Sequence, residues 1–206
     1  MTRLQRVPQF IWFLLLGWLF LWPVLFHPNF ILLRPDSLSD LLLTHLPNAI
    51  YIRESLVRYH QVPLWNGQIM SGQPFAADPL SGLWYPPNLT LLVLPLPFGF
   101  NLLFALHLAW AGYGLFRFLR AESASLHASF FGGLAFAGTP KLIAHLGAGH
   151  VSLVFAVAWT PWLLLAARQA AHEGGIKRGA LAGAALAMVF LADVRWTFYA
   201  GLLAGA

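Results

Sequence analysis

Asp36 and Asp40 stand four residues apart in RPDSLSDLLLTHLP, residues 34–47, in a chain with only seven acidic residues. On one helical turn the two carboxylates project to the same side. A glycosidase pair must flank the scissile bond with its carboxyl groups about 5–9.5 Å apart, so this spacing argues against such a pair. A carboxylate here is suited to general-base work or, more plainly, to the start of a helix, where the backbone dipole favours negative charge. Asp193 and Arg195 sit in LADVRWTFY, inside an otherwise apolar run. His145 and His150, in HLGAGH, are five residues apart with no carboxylate beside them in sequence, a weak pattern for a metal and an ordinary one for a loop.

The elements that position these groups follow from composition. Apolar residues make up 59% of the chain and charged residues 9%, against about 25% charged in a soluble domain. Runs of about 20 apolar residues recur, as bilayer-spanning helices require. The expected fold is an all-α integral membrane protein, a single membrane domain over residues 1–206. About five transmembrane helices are expected, near 10–33, 98–119, 126–140, 151–167 and 179–206. The first run is too long for a signal peptide and lacks a cleavage site, so it reads as an anchor bent at Pro23. Gly179 and Gly183 have a spacing that permits close helix approach.

The net charge of +5 forms no basic patch, which argues against nucleic acid, and the absence of cysteine excludes disulfides and thiolate chemistry. Arg3, Arg6, Arg117, Arg120, Arg168, Lys177 and Arg178 flank one side of the spans, against Arg34, Arg53, Arg58 and Lys141 on the other. The more basic side faces the cytoplasm, which puts the N-terminus inside and residues 34–88 outside. The closing YAGLLAGA has no polar tail and reads as the front part of a longer protein.

An outward segment of that length is functional or internally structured. Residues 40–59 read as an amphipathic helix on the membrane surface, capped by Ser37 or Ser39 and broken in two at Pro47. Beyond it, Gly, Pro, Asn and Asp punctuate an irregular stretch in which Trp65, Phe75, Trp84 and Tyr85 offer flat faces. Such faces suit sugar rings, and they equally suit an interfacial aromatic belt. A charge at the bilayer centre costs about 2.5–3.5 kcal/mol, so Asp193 and Arg195 must face each other or a polar cavity. At about 1.5 Å per residue from Gly179, Asp193 falls in the outer half of the bilayer.

The Asp preceding a helix with Pro seven positions on, followed by PLWN, GQPFAADP and YPPN, resembles the first extracytoplasmic loop of the bacterial YfhO-like membrane proteins. That family belongs to the GT-C glycosyltransferases. Weaker similarity continues through LHLAWAGYGLFRFLR and AWTPWLLL. The resemblance implies a multi-pass protein of the bacterial cytoplasmic membrane, working in cell-envelope glycosylation. It would transfer a sugar from a polyprenyl-phosphate donor to an extracytoplasmic acceptor. Aligned on Pro47, Asp40 is the catalytic carboxylate and Asp36 its reserve. A cation near the departing phosphate would be Arg53, Arg58 or Arg195, and Trp65, Asn66, Trp84, Tyr85 and Asp193 are candidates to contact sugar or acceptor. No cofactor or metal site is read, with a divalent cation left open. The expected partners are the lipid-linked donor, the bilayer, and a further subunit or C-terminal half that completes the pocket. The competing class is a transporter of lipid-linked sugars or an accessory subunit, which would bind the same ligand without a base.

Overall fold

The computed structural model describes residues 8–24, 26–27, 29–31 and 39–205. Asp36, Ser37, Arg34 and the N-terminal Arg3 and Arg6 lie outside the described residues. Among the described residues the regular structure is helical, apart from an isolated antiparallel bridge between Asn66 and Gln73.

The first helix, α1, spans Gln9–Leu21 and closes in a 3-10 turn, Trp22–Val24. It is shorter than the predicted run to Leu33 and gives way to that turn just before Pro23 rather than bending there, because proline has no N–H to extend the ladder. Helix α2, Leu46–Arg53, is flanked by π-helical turns Leu41–His45 and Glu54–Arg58. The helical path therefore runs through Pro47 instead of breaking. Leu46 N–H donates to the carbonyl of Leu41, five residues back, and the wider turn accommodates the proline ring. Ser39 lies at the start of this path, with its Oγ 3.4 Å from the N–H of Leu42.

Helix α3, Leu96–Ala121, carries Pro97 in its first turn, where a missing N–H is no loss. Helix α4, Leu126–Ala137, is capped by Ser125, whose Oγ accepts from Ala128 N–H at 3.2 Å. A short helix that the sequence reading did not anticipate, α5, Pro140–Gly147, leads into α6, Val151–Glu173, which runs past Ala167 with Pro161 inside it. The predicted fifth span is two helices, α7, Ile176–Ala192, and α8, Val194–Gly205, parted at Asp193.

Helices α3 and α6 are long and apolar enough to cross a membrane. At about 1.5 Å per residue each exceeds the hydrocarbon core of about 30 Å. They pack side by side, with α1 and α4 against α3 and with α7 and α8 against α6. Trp162 stacks on Trp110 at 4.1 Å between ring centres and donates its indole N–H to the Trp110 carbonyl. Glycine sets the closeness of the α1–α3–α4 corner. A Cβ on Gly112 or Gly133 would collide with the Phe13 ring and the facing backbone carbonyl. Gly179 and Gly183, the pair singled out by spacing, have open space at the Cβ position.

Candidate functional site

A cavity of about 300 Å³ lies between the beginning of the α2 path, the first turn of α6 and the α7–α8 break; Asp40, His45, His150, Ser152, Asp193 and Arg195 line it. Three local structures bring these groups together.

The first is the turn after α5. His150 N–H bonds to the carbonyl of His145 and Gly149 N–H to that of Leu146, the Schellman pattern, with Gly149 in the left-handed region at φ +82°. That motif places the third residue from the helix end beside the second residue past it. Here both are histidines, with Nδ1 atoms 2.8 Å apart.

The same turn abuts the α2 path. Asp40 N–H reaches the Ala148 carbonyl at 3.3 Å, and His150 Nε2 lies 3.5 Å from Asp40 Oδ2. A Cβ on Gly149 would fall 2.5 Å from Leu41 N and 3.0 Å from Asp40 N. Gly149→Ala therefore combines an unfavourable φ with a backbone collision. It is expected to cost about 2 kcal/mol, lowering the midpoint of thermal unfolding in detergent and separating His150 from Asp40.

The second structure is the break at Asp193. Its carboxylate accepts from the N–H groups of Arg195, at 2.9 Å, and Trp196, at 3.1 Å, so it caps α8. Arg195 grips the same carboxylate through Nε at 3.2 Å and Nη2 at 2.7 Å, and Ser152 Oγ donates at 3.0 Å. The Asp193 side chain is 1% exposed, whereas that of Arg195 is 68% exposed on the cavity wall. Trp196 donates its indole N–H to Thr160 Oγ1 at 2.8 Å, which ties α8 to α6.

The third is the π-helical turn Leu41–His45, in which i→i+5 winding keeps His45 on the side of Asp40 and Thr44. Burial lowers the pKa of His45 to about 4 and Arg195 adds to the effect, against the opposing pull of Asp40. His45 is thus neutral at pH 7. In the unfolded chain it takes up a proton near pH 6.5, so the stabilisation it lends is full above that pH and fades as pH falls toward 4. Stability measured by thermal unfolding is expected to drop by about 3 kcal/mol across this window, with His45→Gln flattening the dependence.

Of the residues singled out by sequence, Asp40, Asp193 and Arg195 share the cavity; Asp36 lies outside the described residues. Arg53 donates to the carbonyls of Leu91 and Leu94, satisfying the end of the 3-10 helix Pro86–Leu92. Arg58 is exposed, with its guanidinium 5.4 Å from the Tyr59 ring centre. Asn66 forms the bridge to Gln73 and its side chain accepts from Gln68 N–H, while the carbonyl of the exposed Trp65 accepts from the Tyr51 hydroxyl at 2.7 Å. Trp84 lines an adjacent apolar groove of about 250 Å³ with Phe190 and Val194.

Tyr85 is buried, its hydroxyl accepting from the indole N–H of Trp159 at 2.8 Å and donating to His107 Nε2 at 2.6 Å. His107 has that lone pair to offer because its Nδ1–H bonds to the Leu103 carbonyl. The YPPN segment is thereby anchored to α3 and α6, and its tyrosine is occupied inside the protein. Sequence reasoning missed His45, Ser152 and the placement of the histidine pair beside Asp40; only Gly149 between the histidines signalled the last of these.

Among the described residues no group of three or more His, Cys, Asp or Glu side chains is placed to hold a metal ion. No protein-family model matches the chain, and no curated protein or solved structure matches it.

Proposed function

We propose that this chain forms the catalytic side of a multi-pass membrane glycosyltransferase of the GT-C type. It would use a polyprenyl-phosphate sugar donor and an acceptor outside the cytoplasm. Helices α3 and α6 supply two spans. Helices α1, α4 and α7, each shorter than the roughly 20 residues a full span takes, are read as the membrane-embedded partners packed on them in a bundle of about five segments, with the cavity opening on the extracytoplasmic side. The observation that carries this reading is the opposition, across one cavity, of an exposed carboxylate at Asp40 and a carboxylate-anchored guanidinium at Arg195.

A lipid-phosphate donor brings its own leaving group, so the chemistry needs a base for the acceptor and a cation for the departing phosphate. Asp40 takes the acceptor hydroxyl proton as that oxygen attacks the anomeric carbon. The bond from carbon to phosphate oxygen breaks, and its electron pair leaves with polyprenyl phosphate, whose charge Arg195 stabilises through its forked donors. Asp193 holds that fork in place, and the groove lined by Trp84 and Phe190 suits the first isoprene units.

The test is the intact protein in proteoliposomes with a labelled polyprenyl-phosphate hexose. Release of polyprenyl phosphate with formation of a glycosylated acceptor supports the reading. Movement of intact donor across the bilayer without product would replace it with a transporter.

A further inference from the structure

Behind Asp40 stands a histidine pair that the transfer step does not use, and its geometry is directional. His150 presents Nε2 to Asp40 Oδ2 at 3.5 Å, beyond ordinary hydrogen-bond range, and Nδ1 to His145 Nδ1 at 2.8 Å, well within it. One proton must lie in the short contact. If His150 holds it, Nε2 is a lone pair aimed at a carboxylate, two acceptors facing each other. The long 3.5 Å separation is what that arrangement gives. A proton already shared there would draw the pair to about 2.7–2.9 Å.

We propose that His150 is the proton acceptor for Asp40, with His145 as the positioning residue that fixes its tautomer. This rests on the reading of Asp40 as the base. The step balances: the acceptor hydroxyl proton passes to Asp40 during attack. It then moves to His150 Nε2, leaving Asp40 ionised for the next turnover. The imidazolium, hydrogen-bonded through Nδ1–H to His145, releases the Nε2 proton to water when product leaves.

His150 must be neutral to serve, and His145 must offer a lone pair at Nδ1. Burial, His150 and Lys141 all hold the His145 pKa below its usual value, which favours that neutral form. The other charged or titratable groups lining the cavity are Asp40 and His45 on the α2 path, Asp193 and Arg195 at the α7–α8 break, and Tyr199 on α8.

The experiment is the pH profile of kcat for sugar transfer by the intact protein, in wild type, His150→Ala and His145→Phe, with and without added imidazole. Wild type is expected to lose rate on an acid limb, where a protonated His150 can no longer accept the proton from Asp40. His150→Ala should transfer about tenfold more slowly with that acid limb gone, and imidazole should restore the rate. His145→Phe should shift the limb without imidazole rescue. An unchanged rate and profile in His150→Ala, while Asp40→Asn is inactive, overturns the relay and leaves the base intact.

Nitrogen-15 spectra of labelled histidine give a second readout that needs no turnover. The His150 ring should be protonated at Nδ1 in wild type and should change tautomer in His145→Phe. An Nε2–H tautomer in the wild type contradicts the proposal.

Discussion

Asp40→Asn will lower sugar transfer by about 10²–10⁴-fold, the range supplied by a positioned general base, without disturbing the fold. Asparagine keeps the size and hydrogen-bonding reach of the side chain but cannot take a proton from the acceptor. Asp40 is suited to so clean a test because its side chain is 61% exposed and, among the described residues, its close side-chain partner is His150. Little folding energy rides on it, since exposed ion pairs contribute about 0–1 kcal/mol. Thermal unfolding and membrane insertion of the variant should match wild type, and donor affinity should change by less than about threefold, under 1 kcal/mol. Asp36→Asn is the companion control and should transfer at near the wild-type rate.

Asp193 carries the second large effect, and there stability and function separate. Asp193→Ala removes at once the cap of α8, the anchor of Arg195 and the acceptor for the buried Ser152 hydroxyl. A lost cap costs about 0.5–2 kcal/mol and a stranded buried polar group about 1–3 kcal/mol. A fall in unfolding free energy of about 3 kcal/mol is therefore expected. Asp193→Asn retains an oxygen for the two backbone N–H groups but no charge for the guanidinium. It should cost about 1 kcal/mol in stability while raising the KM for donor about tenfold. A donor KM unchanged in the asparagine variant would show that the anchored Arg195 does not meet the phosphate.

The sequence already carried the coarse helical plan and pointed to Asp40, which the structure places on the wall of the cavity. Hydropathy located α3 and α6 because each is a long apolar run with its prolines at tolerated places, Pro97 in a first turn and Pro161 between packed neighbours. The same averaging hid the break at Asp193, where a single capping residue divides a run whose mean hydropathy stays high. Pro47 misled in the other direction: a widened turn absorbed the ring, an outcome that depends on the i→i+5 bond from Leu46 rather than on the proline itself.

The aromatic residues of the irregular stretch before α3 were ambiguous for a physical reason. Tyr85 and Trp84 are adjacent in sequence, yet one is sealed against His107 and Trp159 and the other lines a groove. Arg53 and Arg195 likewise share a residue type and differ in what surrounds them. Arg53 is taken up by the Leu91 and Leu94 carbonyls, whereas Arg195 is held by a carboxylate and stays largely exposed. The side-by-side placement of the two histidines was the most legible of the missed features. A glycine four residues after His145 and one before His150 is a C-terminal capping signal, and the Schellman turn it builds sets the two rings side by side.

Direct displacement with Asp40 as base leaves a stereochemical record. The measurement is the anomeric configuration of the glycosylated product, read by proton coupling constants, against that of a donor of known configuration. Attack from the face opposite the phosphate predicts inversion. Retention would mean a covalent sugar–enzyme intermediate, with a carboxylate as nucleophile, and would contradict the role assigned to Asp40.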